Sequence, residues 1–310
     1  MLYRVLPFLK PDVDTSYVVP ESNAFSIKPY TRVELGMTSY ELSDTTTNET
    51  QTFKVSDTGQ LYTGLGIAYR GFSFSHDINP ATVFGHKKKT GYNLNFSLYG
   101  QNAGADLFFS TSSRNKLTDS NDKALIDGTT DCVQTSRLKA SIYYVIKNKQ
   151  FSIPAIFEQS YIQKKNAGSI IAGASVTNTL TIVRHNAIPE QLDSVLMTNN
   201  MFRHYRQTMV CLSVGYGRNS IHNRMLFHWS VQPALPVYSK YHIILIDGTD
   251  YKSDQWGNNF SVKATGAAQW HYNHHSVCLN IVIDANIMTQ GYINATDAFF
   301  RGSLSYRYMF

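Results

Sequence analysis

Apolar and polar residues alternate along most of the chain, so that every second side chain is apolar. Clear examples are residues 92–98, 138–147 and 277–287. Successive side chains of a β-strand point to opposite faces, whereas a helix needs apolar residues at spacings of three and four. The alternation therefore predicts an all-β protein whose strands each have one apolar and one polar face.

The length of these segments indicates which kind of β protein it is. Several exceed the usual strand of about 5–6 residues, and a membrane-crossing strand needs about 9–11. Twelve or thirteen segments of this kind are present, and bacterial single-chain barrels have an even number of strands. We predict a transmembrane antiparallel up-and-down β-barrel of about 12 strands, with 14 as the alternative.

The uncertain region is residues 150–205, which contains segments that are hard to assign. Within it, residues 151–158 alternate like the other segments and predict a further strand. Phe151, Ile153, Ala155 and Phe157 would share its apolar face.

The last segment, residues 298–310, ends on an aromatic residue. It resembles the C-terminal strand of bacterial outer-membrane β-barrels, in which the terminal Phe belongs to the signal read by the insertion machinery. The resemblance implies that Leu304, Tyr306, Tyr308 and Phe310 form a membrane-insertion signal. It also implies that the protein resides in the bacterial outer membrane.

The composition supports a barrel over a helical membrane protein. Of the 310 residues 16% are charged and 13% aromatic, against about 25% charged in typical soluble domains. Mean hydropathy is −0.25, and no run of about 20 apolar residues exists for a membrane helix. In a barrel only alternate residues contact lipid, which explains modest hydropathy with many aromatics.

Charge and cysteine content add little chemistry. The net charge of +6 includes one basic run, residues 86–89, without interleaved aromatic residues, so no nucleic-acid partner is predicted. Three widely spaced cysteines make neither a disulfide framework nor a zinc site. No metal or cofactor is expected.

The N-terminal region differs from the rest of the chain. Residues 1–23 lack the charged start, apolar centre and small-residue cleavage site of a signal peptide. We interpret them as an N-terminal periplasmic extension and residues 24–310 as the barrel. Since an exported barrel needs a signal peptide upstream, the sequence is interpreted as a mature or trimmed form.

Five short segments also carry a family resemblance: residues 14–20, 64–71, 143–152, 163–169 and 215–217. They are similar to a poorly characterised family of outer-membrane barrel proteins in Bacteroidetes, described as a domain of unknown function. The family has no established catalytic residues, so the resemblance implies shape and location only.

The sharpest catalytic candidates are His228 and Ser230, which flank Trp229. The spacing looks like the His-x-Ser pair on a strand of outer-membrane lipid hydrolases, in which the imidazole activates the hydroxyl. Here Trp229 occupies the lipid face, so both candidates are predicted to face the lumen. No third, orienting residue is identifiable, and we favour a polar interior wall.

Two other clusters are weaker still. His271, His274 and His275 surround a predicted turn, which would splay their side chains apart instead of converging them on a metal. The acidic loop of residues 119–131 fails the EF-hand spacing because Lys123 occupies a ligand position. Neither is assigned a metal.

Charged residues mark the predicted inner wall of the barrel. The predicted lumen-lining residues are Arg32, Glu34, Lys139, Glu158, Arg224, Lys263, Asp284, Arg301 and Arg307. Mixed charges can pair across a narrow lumen and brace it, or they can line a water-filled path that selects solutes. Small inward residues such as Gly64, Gly66 and Gly215 would leave some space. We favour an occluded or narrow lumen.

Together these observations predict a non-enzymatic integral outer-membrane β-barrel, acting as a structural or accessory subunit of an outer-membrane assembly or as a narrow pore. A lipid-modifying hydrolase and a soluble β-sandwich binding protein are the alternatives. The expected partners are outer-membrane lipid and lipopolysaccharide, the barrel-insertion machinery during assembly, and other outer-membrane proteins.

Overall fold

The computed structural model describes residues 12–21, 25–43, 50–57, 59–69, 72–80, 91–113, 115–127, 132–157, 160–184, 202–255, 259–290 and 293–310. The strands are β1 Val18–Pro20, β2 Phe25–Ser43, β3 Thr50–Asp57, β4 Gln60–Tyr69, β5 Phe72–Ile78, β6 Tyr92–Tyr99, β7 Ala103–Ser112, β8 Asn115–Thr118, β9 Ala124–Asp127, β10 Val133–Val145, β11 Tyr161–Gln163, β12 Ala167–Val183, β13 Phe202–His222, β14 Met225–Leu245, β15 Asp250–Gln255, β16 Phe260–Tyr272, β17 His275–Gln290 and β18 Ile293–Met309. A short helix, α1, covers Pro154–Phe157. Within these ranges no helix has both the length and the apolar character needed to cross a membrane.

Twelve of the strands form a closed antiparallel ring. Its order is β2, β4, β5, β6, β7, β10, β12, β13, β14, β16, β17 and β18, and β18 pairs back onto β2. Closure joins Ile293 to Leu42 at one end and Met309 to Ser26 at the other. The all-β barrel and the count of twelve strands are both confirmed, and the soluble sandwich is excluded because this ring has no free sheet edge.

The exterior of the ring is apolar. Each of the twelve strands exposes large apolar side chains, as Leu279, Ile283 and Ile287 do on β17. Leaving a side chain of this size in water forgoes about 1.5–3 kcal/mol of burial energy, so this surface faces hydrocarbon. Tyr and Trp side chains such as Tyr216 and Trp270 are exposed near one end of the strands, as in the aromatic girdle at a membrane interface.

The two ends of the barrel differ in their connections. Turns are short between β4 and β5, β6 and β7, β13 and β14, and β16 and β17, at the end where the chain terminates. Short turns identify the periplasmic end. The connection from β10 to β12 is the exception, because its 21 residues, 146–166, contain α1 and β11. We call the described part of this connection the plug: residues 146–157 and 160–166.

The opposite, extracellular end is extended by additional strands. β3 pairs with the upper part of β2, β8 and β9 continue from β3, and β15 pairs with β14. These strands enclose an extracellular apolar cluster in which Tyr40, Phe202 and Tyr205 are fully buried. The ring of Tyr40 lies 4.8 Å from that of Phe202 and 4.7 Å from that of Tyr205 between centroids. This end of the barrel therefore has a dry core of its own.

Candidate functional site: the lumen and its plug

The plug fills the periplasmic mouth of the barrel with apolar side chains. Phe151 and Ile153 are buried against Val145 and Ile171 of the barrel wall, and Ile156 is 1% exposed. The prediction of a strand at residues 151–158 is therefore wrong. A lumen plug and a lipid-facing strand both need apolar residues, so alternation alone did not separate them.

Pro154 is the local reason why no strand forms. Proline cannot donate to a sheet ladder and its φ suits the first turn of a helix. The hydroxyl of Ser152 accepts a hydrogen bond from the amide of Ala155 at 3.3 Å. It thereby caps the single turn of α1 that follows.

A buried polar network, which we call the plug latch, ties the plug to the wall. Its members are Gln101, Ser152, Gln163, Asn219 and His228. The amide nitrogen of Asn219 donates to the carbonyl oxygen of Ser152 at 2.8 Å and to Oε1 of Gln163 at 3.0 Å. The Ser152 hydroxyl donates to Oε1 of Gln101 at 2.9 Å. Nδ1 of His228 lies 2.8 Å from Oδ1 of Asn219. That amide oxygen only accepts, so Nδ1 carries the proton.

The N-terminal segment supports the plug from the periplasmic side. β1 pairs with β11, and Val18 packs on Ala155 and Tyr161. The amide of Asp14 donates to the carbonyl oxygen of Lys149 at 2.9 Å. Hydrogen bonds from the side chain and amide of Ser16 lower the pKa of the Asp14 carboxyl below its ordinary value. The described residues 12–21 thus form one unit with the plug, whereas the domain boundary predicted after residue 23 stays a prediction.

Ion pairs lie inside the lumen between the plug and the extracellular apolar cluster. Arg137 on β10 pairs with Asp297 on β18 at 2.5 Å, and Nζ of Lys139 lies 2.7 Å from Oδ1 of Asp284. Arg32 pairs with Asp77 and, at 3.1 Å, with Glu34. Buried charges are tolerated when they are paired and hydrogen-bonded in this way.

The free space inside the barrel includes three small cavities of about 110, 100 and 40 Å³. Phe157 of the plug lines both larger cavities, so its ring stands between them. A cavity of this size holds several water molecules. It is far smaller than the water-filled lumen of a 16- to 18-stranded porin.

Most of the residues predicted to line the lumen border these cavities. Arg32, Arg301 and Arg307 border the 110 Å³ cavity, Lys139, Lys263 and Asp284 border the 100 Å³ cavity, and Glu34 borders the smallest. Glu158 lies outside the described residues.

Arg224 is a correction to the predicted lining. It is exposed in the turn between β13 and β14, and its guanidinium carbon lies 4.8 Å from the ring centre of Tyr272. Asn223 adopts a φ of 54° there, a left-handed conformation that asparagine tolerates well. The tight turn places Arg224 before β14 begins, so it never enters the inner face.

The catalytic candidates lie in the lumen beside the plug. His228 is 4% and Ser230 3% exposed, whereas Trp229 between them is 48% exposed on the outer surface. The His228 ring lies 5.5 Å from that of Phe157. Its Nδ1 partner is an amide, whereas a catalytic histidine is usually oriented by a carboxylate. The environment of His228 is that of a structural residue in the plug latch.

The remaining sequence candidates do not converge on a site. Nδ1 of His275 lies 2.6 Å from the hydroxyl of Tyr306. Lys54 pairs with Asp122 of the acidic loop at 2.7 Å, and that loop's residues 128–131 lie outside the described residues. Across the described part of the chain, no group of three His, Cys, Asp or Glu residues is placed to hold a metal.

The sequence pattern did not single out the latch residues Gln101, Gln163 and Asn219, or Asp297. Asn219 and Asp297 occupy polar positions in alternating strands, and nothing in their neighbourhood distinguishes them from other inward polar residues. The useful signal was Pro154, because a proline inside an alternating run argues against a central strand.

Comparison with known proteins agrees with this architecture. The family model described as a domain of unknown function (DUF4421) matches residues 12–310. No curated protein matches the chain. The outer membrane protease OmpT from Escherichia coli is similar in structure, with a TM-score of 0.51 and 7% identity over 94% of this chain and 98% of that one.

Two further barrels align at lower scores. The translocator domain of the autotransporter NalP from Neisseria meningitidis has a TM-score of 0.35 and 9% identity over 100% of this chain and 95% of that one. The outer membrane protein OprG from Pseudomonas aeruginosa has a TM-score of 0.32 and 11% identity over 96% and 99%. At 7% identity, the OmpT likeness concerns the fold alone. With the apolar exterior, it confirms an outer-membrane β-barrel, while a Bacteroidetes origin stays a prediction.

Proposed function

The chain belongs to the family described as a domain of unknown function (DUF4421), and we propose that the protein is a sealed, non-enzymatic outer-membrane barrel. In this proposal it serves as a structural or accessory subunit of an outer-membrane assembly. Membership of the family brings no activity with it. The observation that carries the proposal is the filling of the lumen at two levels by the chain's own residues.

The periplasmic level is the plug, whose residues Phe151 and Ile156 are buried inside the mouth. The extracellular level is the apolar cluster around Tyr40 and Tyr205. Ions cross a membrane protein along a hydrated path lined by polar groups. A dry cluster at one end and a hydrogen-bonded plug at the other are both barriers to such a path.

The charged residues between the plug and the extracellular apolar cluster support a role in bracing the barrel over a role in conducting ions. In conducting pores, rings of charge face water and set selectivity. Here Arg137, Lys139 and Arg32 instead make close pairs with Asp297, Asp284 and Asp77. A narrow pore is therefore the less favoured of the two functions predicted from the sequence.

The surroundings of His228 and Ser230 argue against a lipid hydrolase. Both side chains are buried behind the plug, so lipid on the exterior does not reach them. Nδ1 of His228 is bonded to Asn219. If purified protein had lipase activity, Ser230→Ala would abolish it in a His228–Ser230 enzyme and leave it unchanged in a contaminant.

Planar-bilayer recording of the full chain tests the sealed barrel. Folding is checked first by heat-dependent migration in gels, and a porin inserted in the same bilayers shows that reconstitution works. We expect no conductance above that of the protein-free bilayer. Reproducible stepwise openings from the folded wild-type chain would overturn the sealed state.

Affinity purification from solubilised outer membrane tests the accessory role. We expect another outer-membrane protein to be recovered in a constant ratio with the tagged chain. Recovery of the tagged chain alone, after chemical cross-linking as well as without it, would contradict an accessory role while leaving the sealed state untouched.

A further inference from the structure

The lipid-facing side of β16 forms a shallow groove between the two neighbouring strands. Trp270 is exposed and Ala267 is buried, and side chains alternate along a strand, so Gly266 faces outward. A Cβ at Gly266 would have no atom within 4 Å. Gly266 pairs with Trp229 on β14 and with Ile281 on β17, whose large side chains are both exposed. The outer surface is therefore lower at Gly266 than on either side.

The same difference in size is found one row towards each end of β16. In both rows an alanine of β16 pairs with a large apolar residue on either side: Phe227, Ala268 and Leu279 in one, and Val231, Ala264 and Ile283 in the other. We call this surface the β16 groove. It runs from Ala264 to Ala268, about 13 Å at about 3.3 Å per residue, so a segment of an acyl chain fits along it.

A stacked cation stands at the periplasmic end of the β16 groove. The rings of Trp270 and Tyr272 lie 6.0 Å apart and are nearly parallel, at 8°. The guanidinium carbon of Arg224 lies 4.8 Å from the ring centre of Tyr272, and the amide of His271 donates to the carbonyl oxygen of Arg224 at 3.2 Å. Stacking engages the face of a guanidinium and leaves the N–H donors in its plane available.

The charge of Arg224 is not neutralised by the chain itself. Residues 212–233 and 264–283, which hold the groove and the two turns at its end, contain no Asp or Glu. No carboxylate among the described residues forms an ion pair with Arg224. Glu21 of the N-terminal segment acts on His271, which follows the outward-facing Trp270 and therefore faces inward. The outward-facing cation is left for a partner outside the chain.

From this arrangement we propose that the β16 groove and Arg224 bind one glycerophospholipid of the periplasmic leaflet. One acyl chain lies in the groove, and the phosphodiester accepts hydrogen bonds from the guanidinium of Arg224. Guanidinium groups make strong, charge-assisted hydrogen bonds to phosphate oxygens, and Trp and Tyr side chains lie at the headgroup level of a membrane. An anionic headgroup is favoured, because it meets a cation without a counter-charge.

Charge distinguishes a lipid from a second copy of the chain as the occupant. Two copies that packed through the β16 groove would bring two surfaces without acidic residues together. Both Arg224 side chains would then lose water without gaining a counter-charge, which is unfavourable. An anionic phospholipid supplies the apolar chain and the negative charge together. The site lies on the outer surface, so it does not depend on the proposed function.

Native mass spectrometry of the folded full chain, released from uncharged detergent, tests the site. The probes are phosphatidylglycerol and, separately, phosphatidylcholine, each titrated into the detergent solution. We expect one retained phosphatidylglycerol per chain and weaker retention of phosphatidylcholine. Arg224→Gln should weaken binding of phosphatidylglycerol about fivefold, the contribution of one cation at an anionic membrane surface. Gly266→Leu should weaken binding by a similar factor, because leucine fills the groove.

Two further variants separate the site from general electrostatics. Lys165 is an exposed cation that also lies over a tyrosine, 5.1 Å from the ring centre of Tyr17, but it belongs to the plug. Lys165→Gln should therefore bind as the wild type does. Arg224→Lys keeps the charge without the planar donors and should bind between the wild type and Arg224→Gln.

Three results would overturn the proposal: no phosphatidylglycerol retained by the wild type, equal affinity in Arg224→Gln and Lys165→Gln, or release of the wild type as a lipid-free dimer. Folding of each variant is checked first by heat-dependent migration in gels. Arg224 is exposed in a turn, so its variants should fold, and they decide alone if Gly266→Leu does not.

Discussion

Arg137 and Asp297 pair across the full width of the lumen. They lie on β10 and β18, which stand opposite each other in the ring of twelve, and Nη2 of Arg137 lies 2.5 Å from the Asp297 carboxylate. The same carboxylate accepts a hydrogen bond from Thr38 on β2 at 3.0 Å and from Asn286 on β17 at 3.2 Å. One acidic residue thus connects four strands across the inside of the barrel.

Removal of the Asp297 charge should destabilise the barrel strongly. Asp297→Asn leaves the half-buried Arg137 without its paired carboxylate, and breaking a buried ion pair in this way costs up to about 3–5 kcal/mol. The free energy of unfolding, measured by urea titration in lipid vesicles, should fall by about that amount.

The exposed pair of Lys54 and Asp122, at 2.7 Å, provides the matched control. Lys54→Ala should cost no more than about 1 kcal/mol, because exposed pairs contribute little. Replacing both Arg137 and Asp297 with Met and Leu should recover much of the lost stability, since no charge is then left unpaired. A loss below about 1 kcal/mol in Asp297→Asn would mean that the pair does not brace the lumen.

A substitution in the plug latch should loosen the plug and leave the rest of the barrel little changed. Asn219→Ala removes the hydrogen bonds to Ser152 and Gln163 and leaves His228 Nδ1 without its acceptor. A buried group left unsatisfied costs about 1–3 kcal/mol, equivalent to roughly 5- to 150-fold in the opening equilibrium. Hydrogen exchange of the amides in residues 151–163 should accelerate by that factor.

Asn178→Ala is the control, because Asn178 is half-buried and bonds Thr208 on the barrel wall at 2.7 Å, away from the plug. Exchange in residues 151–163 should then match the wild type. Unchanged exchange in Asn219→Ala would show that the apolar contacts of Phe151 and Ile156 hold the plug without the latch.

The barrel could be predicted from the sequence because it follows from patterns within single segments of the chain. Alternation in β17 decides which side chains face lipid regardless of what the rest of the chain does, and strand length decides that the strands cross a membrane. The plug could not be predicted in this way, because Phe151 and Ile156 are buried by the lumen wall, which is assembled from distant strands.

The ion pairs inside the lumen could not be predicted from the sequence for the same reason. Alternation predicted that Arg32, Lys139 and Asp284 lie on the inner wall, but their pairing depends on the order of the strands in the ring and on their stagger. Arg137 and Asp297 are 160 residues apart. Their meeting follows from the β18–β2 closure and the positions of ten other strands, which no single segment contains.

The lumen space that the sequence predicts beside the inward residue Gly64 is filled by a neighbouring side chain. A Cβ at this inward position would lie 2.5 Å from Cζ of Tyr30 and 2.6 Å from Cβ of Asp77, so the Tyr30 ring occupies the room that the glycine provides. Gly64→Ala should lower the free energy of unfolding by about 1–3 kcal/mol, the usual cost of overpacking.

Gly266, with no atom within 4 Å of its Cβ position, is the matched control, and Gly266→Ala should change stability by no more than about 0.5 kcal/mol. Tyr30→Leu in the Gly64→Ala background should restore part of the loss by vacating the contact. Equal stability of Gly64→Ala and Gly266→Ala would contradict tight packing at this position.

Phe310 connects the predicted insertion signal to the closure of the barrel. Its amide donates to the carbonyl oxygen of Phe25 at 3.1 Å, and the two rings lie 5.5 Å apart at the seam between β18 and β2. Phe310 is 59% exposed on the outer face, so truncating it removes little packing within the barrel.

Phe310→Ala should therefore slow assembly by the insertion machinery several-fold while changing the stability of the finished barrel by less than about 1 kcal/mol. Assembly is measured as the heat-modifiable fraction formed over time in membranes with the machinery, and stability by urea titration afterwards. Phe300→Ala, on the same strand and outside the predicted signal, should assemble at the wild-type rate. If both variants slow assembly equally, or if Phe310→Ala also folds slowly into vesicles without the machinery, Phe310 acts through the seam and not as a signal.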